Sequence, residues 1–212
     1  MNIHTLHDEH FEDQAIKLKK LYYKYKARRI VLDANGLGIG LVDYMVKSQI
    51  DPDTDDTLVD FGVDNDEDLY YKKYRTDNTE FDALYLIKAN APINTEAHAN
   101  AQSQLSSGKV KMLIDERVAK AKLLGTKRGQ EMKPEERAEY LKPFTLTSIL
   151  KEEMMNLREE TEGVNIILRQ SNKSIKKDKF SAFEYGLYYI KQEEDSKKKH
   201  KKFNAKDWLF MN

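Results

Sequence analysis

The stretch R-R-I-V-L-D-A-N-G-L-G-I-G-L-V-D-Y-M, Arg28 to Met45, sets the architecture. Arg28–Ala34 is a short apolar run closed by a carboxylate. Runs of this kind fill strands of parallel sheets that are buried on both faces. N-G-L-G-I-G then turns the chain, and Leu37–Lys47 reads as a helix. The acid at the strand end, Asp33, falls where open α/β sheets meet their ligands. A carboxylate there is costly to bury without a cation or hydrogen-bond donors. Its bland alternative is a cap on its own turn.

Upstream, Ile3 and Thr5 alternate with polar residues as in a short strand, and Asp8 is placed to cap a helix. In that helix Phe11, Ala15, Leu18, Tyr22 and Tyr25 form one apolar stripe. Downstream, Asp51–Leu69 is polar and turn-rich and reads as an exposed insertion. Phe81–Ala89 reads as a strand, Pro92 to Leu105 as a helix stopped by Gly108, and Lys109–Ile114 as another strand. Residues 116–160 read as helical, broken near Gly125–Gly129 and again at Pro143. Val164–Arg169 reads as a strand. Asp178–Lys191 reads as a helix with Ala182, Tyr185, Leu187 and Tyr189 inward. Strands separated by helices predict an α/β layer fold. One domain over 1–193 and a charged tail over 194–212 are expected.

The chain has 212 residues, 36 basic and 36 acidic, with no cysteine. Zero net charge excludes a uniformly basic nucleic-acid wrapper. The lack of cysteine excludes thiolate zinc sites, cysteine nucleophiles and disulfide scaffolds. No apolar run approaches the ~20 residues of a membrane span, so a soluble, intracellular protein is expected. The charges are nonetheless segregated. Asp51–Asp82 holds twelve acids against three bases, and Arg169–Lys206 holds twelve bases against five acids. Either these are solvated loop and tail, or the basic segment meets phosphate while the acidic one stays clear of it.

Gly36, Gly38 and Gly40 miss the dinucleotide spacing by one residue, and Asp33 would face the pyrophosphate, so NAD and FAD are excluded. The glycines instead suit a tight turn and close helix packing. Gly125-Thr126-Lys127 lacks the P-loop frame, so no ATP site is present in this chain. His4, His7, His10, His98 and His200 complete no zinc pattern and read as surface residues. Tyr22, Tyr23, Tyr25, Tyr185, Tyr188 and Tyr189 sit at helical spacing and read as core. Asp178, in S-I-K-K-D-K-F-S-A-F-E-Y-G-L-Y-Y-I, opens a helix, where a carboxylate is favoured without any chemistry. Lys173, Lys176, Lys177 and Lys179 crowd that acid. Such company suits a metal held by the acid and phosphate held by the lysines.

The helix Q-A-I-K-L-K-K-L-Y-Y-K-Y, the strand and turn R-R-I-V-L-D-A-N-G-L-G-I-G and the late helix start K-K-D-K-F-S-A-F occur in an order that resembles the nuclease domain of the large terminase subunit of tailed bacteriophages. The resemblance runs from Ile3 to about Ile190. It implies a ribonuclease H-like mixed sheet flanked by helices, as in integrases and resolvases. It also implies two divalent metals, Mg²⁺ or Mn²⁺, and endonucleolytic cutting of concatemeric double-stranded phage DNA in the host cytoplasm. Asp33 matches the second metal-binding acid and Asp178 the last, and the two are expected to converge. The lysines at 173, 176, 177 and 179 are expected to hold the DNA backbone. The implied partners are an upstream ATPase segment, the small terminase subunit and the portal. The family's first catalytic Asp has no counterpart, since it lies on an opening strand upstream of Ile3, and Ile175 replaces an occasional His. An N-terminally truncated sheet is therefore expected. The alternatives are a non-catalytic remnant or assembly module, and a related resolvase-like nuclease that prefers branched DNA.

Overall fold

The computed structural model describes residues 10–207. The expected strand at Ile3–Thr5, the Asp8 cap, His4 and His7 lie outside the described residues. The fold is mixed α/β, with helices flanking a small parallel sheet. The described residues divide into two compact units, 10–93 with 185–207, and 94–184.

The first unit holds the sheet. Helix α1 (Phe11–Lys24) leads into β1 (Ile30–Asp33), followed by α2 (Leu37–Met45). Short strands β2 (Gln49–Ile50) and β3 (Thr57–Leu58) pair antiparallel, and β4 (Phe61–Val63) and β5 (Glu80–Ile87) follow. The sheet order is β1-β5-β4, all parallel, with Ile30 opposite Leu84 and Asp33 opposite Ile87. Strand β1 is an edge: among the described residues only β5 pairs with it. Phe61, Val63, Leu84 and Leu86 form the core with Val42, Met45 and Val46 of α2 and its end and with Ala15 and Tyr22 of α1. On α7 (Asp178–Asp207), Tyr189 meets Tyr85 of β5, ring centroids 4.9 Å apart, and Glu193 pairs with Arg28 at 3.1 Å.

The acid-rich stretch is not the exposed insertion its composition predicts. It contains β3 and β4, and Phe61 and Val63 are each 1 % exposed. Three devices fold it. Lys20 bridges Asp51 at 2.9 Å and Asp53 at 2.7 Å. Buried Asp60 accepts hydrogen bonds from the hydroxyls of Thr76 (2.7 Å), Thr79 and Ser48 (3.3 Å). Asn65 continues the β4 ladder with its side chain, accepting from the Leu86 N–H at 2.9 Å and donating to the Leu86 carbonyl at 2.7 Å. Burial alone would raise the Asp60 carboxyl, but the Thr79 and Thr76 hydroxyls outweigh it and lower the pKa.

The second unit holds α3 from Asn94 on (the helix is Ala91–Ser106), α4 (Glu116–Leu124), α5 (Lys127–Glu131), α6 (Pro134–Met155) and the hairpin β6 (Leu157–Glu162) with β7 (Asn165–Gln170). Three expectations fail here. Lys109–Ile114 is not a strand: among the described residues its alternation finds no ladder partner, and the Leu113 carbonyl instead accepts from Lys151 Nζ at 2.8 Å. Pro143 does not break α6, which runs through it. Residues 157–160, expected as helix, belong to β6, whose antiparallel partner β7 was expected alone. Helix α7 also continues to Asp207, well past Lys191, and Ala182 faces outward rather than inward.

Among the tyrosines, Tyr22 and Tyr189 are core, whereas Tyr23 and Tyr25 are 42 % and 48 % exposed. The stripe of α1 buries Lys19, a residue that hydrophobic periodicity does not select. Lys19 donates to the Lys47 carbonyl at 2.5 Å and lies 5.3 Å from the Phe61 ring centre. Burial pulls its pKa down to about 8, with Asp60 opposing. The unfolded lysine titrates near about 10.4. The unfolded chain therefore binds more protons than the folded one between about pH 8 and pH 10, and stability rises with pH across that window. Lys19→Met is expected to remove this rise. Urea midpoints measured at intervals from pH 7 to pH 9.5 check it, below the range where tyrosines add an opposing contribution.

Candidate functional site

Asp33 stands exposed at the carboxyl end of β1. The turn after it is built around its backbone. Gly36 sits at φ +53°, a conformation that glycine adopts without strain. A Cβ on Gly38 would fall 1.8 Å from the Asp33 carbonyl oxygen, so α2 starts this close to the strand only because residue 38 has no side chain. Both glycines thus serve the turn and packing role read from the sequence. Asp33 Oδ1 accepts the Asn35 N–H at 3.0 Å, and Asn35 Nδ2 donates to the Ala89 carbonyl at 2.9 Å. This is the turn cap that the sequence offered as the alternative to chemistry. One carboxylate oxygen is used by it.

Asp178 is also exposed, in the first turn of α7 and within the second unit. Asp33 belongs to the first unit. Lys173, Lys176 and Lys177 are exposed on the loop before α7. Lys179 differs from them: its Nζ lies 3.2 Å from Oε1 of Glu153, whose side chain is 3 % exposed. It neutralises a buried acid, and an ammonium so engaged has less to offer a phosphate.

The basic loop has a defined shape, and residues that the sequence reading passed over supply it. Asn156, at the end of α6, donates from Nδ2 to the Asn172 carbonyl at 2.9 Å and accepts the Asn172 N–H at Oδ1 at 2.8 Å. Its own carbonyl accepts the Ser171 N–H at 2.8 Å. Gln170 Nε2 donates to the Ile175 carbonyl at 2.6 Å. Glu153 Oε2 accepts the Phe180 N–H at 3.0 Å and so caps α7 from another helix. A signal for Asn156 existed, since Asn is a common residue at helix ends. None existed for Glu153, which looks like any exposed helical glutamate.

His98 is not the surface residue expected. It is 11 % exposed on α3, with Nδ1 2.5 Å from Oε2 of Glu184, itself 4 % exposed. His10 is exposed. Among the described residues no group of three or more His, Asp or Glu side chains is placed to hold a metal ion. No helix among the described residues is long and apolar enough to cross a membrane. No family model, curated protein or solved structure matches the chain.

Removing the Asn156 side chain leaves the basic loop without its main anchor. Asn156→Ala is expected to destabilise the protein by about 0.5–1.5 kcal/mol, the net worth of a part-buried hydrogen bond of this kind. It should also speed tryptic cleavage at Lys173, Lys176 and Lys177 relative to other sites. Limited proteolysis followed by mass mapping checks this.

Proposed function

We propose that the chain is a DNA endonuclease domain of the terminase type, acting in phage genome packaging, with a ribonuclease H-like sheet. The observation that carries the reading is the placement of Asp33: an exposed carboxylate at the carboxyl end of a parallel edge strand, the position where open α/β sheets present their chemistry. The edge position of β1 among the described residues supports it too, because the resemblance puts further strands on that side. In this reading Asp33 and Asp178 are the acids that serve divalent metal, Mg²⁺ or Mn²⁺, and hard oxygen donors without thiols suit those ions. The metals supply, when bound, stabilisation of the attacking and leaving oxygens of the phosphodiester. Further carboxylates are required to complete such a centre. Lys173, Lys176 and Lys177 offer point charges to the DNA backbone without reading bases. The proposed partners are double-stranded DNA, an ATPase segment, the small terminase subunit and the portal.

A second reading, a non-catalytic DNA-binding or assembly module, draws support from the Asp33–Asn35 hydrogen bond, which gives the carboxylate a purely structural task.

Supercoiled plasmid in Mn²⁺ separates the two. Joined to its upstream segment, the chain is expected to nick plasmid, and Asp33→Asn in that complete protein to abolish the cutting while duplex binding is retained. Asn preserves the turn cap, so the fold is not at stake. An Asp33→Asn variant that cuts at the wild-type rate removes Asp33 from the chemistry. A complete protein, upstream segment included, that binds duplex and does not cut favours the second reading.

A further inference from the structure

We propose that α4 and α5 form a docking surface for the phosphate backbone of duplex DNA, a surface additional to the loop before α7. From Arg117 to Arg128 the chain carries five basic residues and no acid. All five, Arg117, Lys120, Lys122, Lys127 and Arg128, are exposed. Elsewhere many of the cations are spoken for. Lys20, Arg28, Arg169, Lys179 and Lys197 each lie within 3.2 Å of a carboxylate. On α4 and α5 the closest pairing is Lys127 with Glu131 at 4.0 Å, both side chains mostly exposed, a contact worth almost nothing in water. Over the two helices the five bases stand against two acids, Glu116 and Glu131, so a chain with no net charge concentrates positive charge on one short helical pair.

The pair is also rigid. Ala119 and Leu123 of α4 are buried against Leu141 and Phe144 of α6 and Met132. Between the helices Thr126 Oγ1 donates to the Leu123 carbonyl at 2.7 Å and accepts the Gly129 N–H at 3.0 Å. Asp115, the acid two residues before Arg117, is occupied in capping α4 through the Arg117 N–H at 2.8 Å. Cations held on such a frame lose little backbone freedom when they meet a ligand.

The chemistry of the surface selects the polyanion. Neither α4 nor α5 carries an aromatic residue, and the exposed ring adjoining them is Tyr140 of α6. Single-stranded nucleic acid is held by stacking successive bases on a series of rings, and α4 and α5 supply none. Protein interfaces are anchored by buried aromatic or apolar side chains at their centre. Here Val118 is the large apolar side chain exposed on α4, and charge surrounds it. Ammonium and guanidinium groups without rings match the regularly spaced phosphates of a duplex. The inference rests on the proposed function only for DNA as the polyanion, and it makes no use of Asp33.

The test is a titration of the full chain with a short duplex at several salt concentrations. The variants are Lys127→Gln/Arg128→Gln and Arg117→Gln/Lys120→Gln. Each double variant is expected to lower the log–log salt slope by about 1.8, at about 0.9 per lost phosphate contact. The positions are exposed, so urea midpoints should stay at the wild-type value, and if one double variant unfolds the other decides. Wild-type slope and affinity in a folded variant overturn the proposal. So does competition by single-stranded DNA or poly-glutamate as strong as that by duplex. Failure here and failure of the catalytic reading are distinguishable: the first is read in binding by α4–α5 variants, the second in plasmid nicking by Asp33→Asn.

Discussion

The parallel ladder between β1 and β5 constrains everything else in the sheet unit. Its two strands are separated in the chain by α2 and by the whole acid-rich segment, so that segment must return to the sheet before β5 can pair. Parallel pairing always demands such a crossover. Here the return is made by β4, whose Phe61 and Val63 each contribute roughly 1.5–3 kcal/mol by burial. The cost is a run of carboxylates brought close to an apolar core. Asp60 is the acid that goes furthest in, and three hydroxyls satisfy it. Nearby, buried Lys19 supplies compensating charge at the expense of its own proton affinity. The register slips between Phe61 and Val63 opposite β5, and Asp82 takes a positive φ there, as Asp tolerates better than most residues.

The parts of this fold legible in the sequence are those fixed by local chemistry. Arg28–Met45 gave strand, turn and helix because an apolar run, a carboxylate and three glycines leave few alternatives. Helices α1 and α3 follow from stripe, proline and glycine signals. The failures lie where a partner decides. Leu157–Glu162 reads L-R-E-E-T-E, with nothing of a strand in it, and becomes β6 only because β7 pairs with it through the turn at Gly163. Lys109–Ile114 has the alternation of a strand and, among the described residues, no strand beside it to use it. Charge density hid β4, since net composition says nothing of two apolar residues inside an acidic run.

The same division holds for the candidate site. Asp33 is legible from the residues around it as the acid that ends a strand, and it stands exposed at that strand end. What shapes the basic loop was not visible, because Glu153 and Asn156 act on residues far along the chain. A glutamate on a helix is normally solvated, and only the folded α7 start gives this one a donor. Lys179 was grouped with its neighbours by spacing, yet the buried acid separates it from them.

Glu153 also ties two positions together over evolutionary time. It accepts a backbone N–H that must be satisfied and an ammonium that must be neutralised. Glutamine at 153 keeps an acceptor for the helix start but strands Lys179 beside a neutral amide. Leucine at 179 removes the ammonium but leaves a buried carboxylate with only its backbone donor. Either first step is penalised and the second step relieves it. Related chains should therefore carry matched pairs at these two positions, charged together or neutral together, with mixed pairs rare even where the surrounding loop diverges freely.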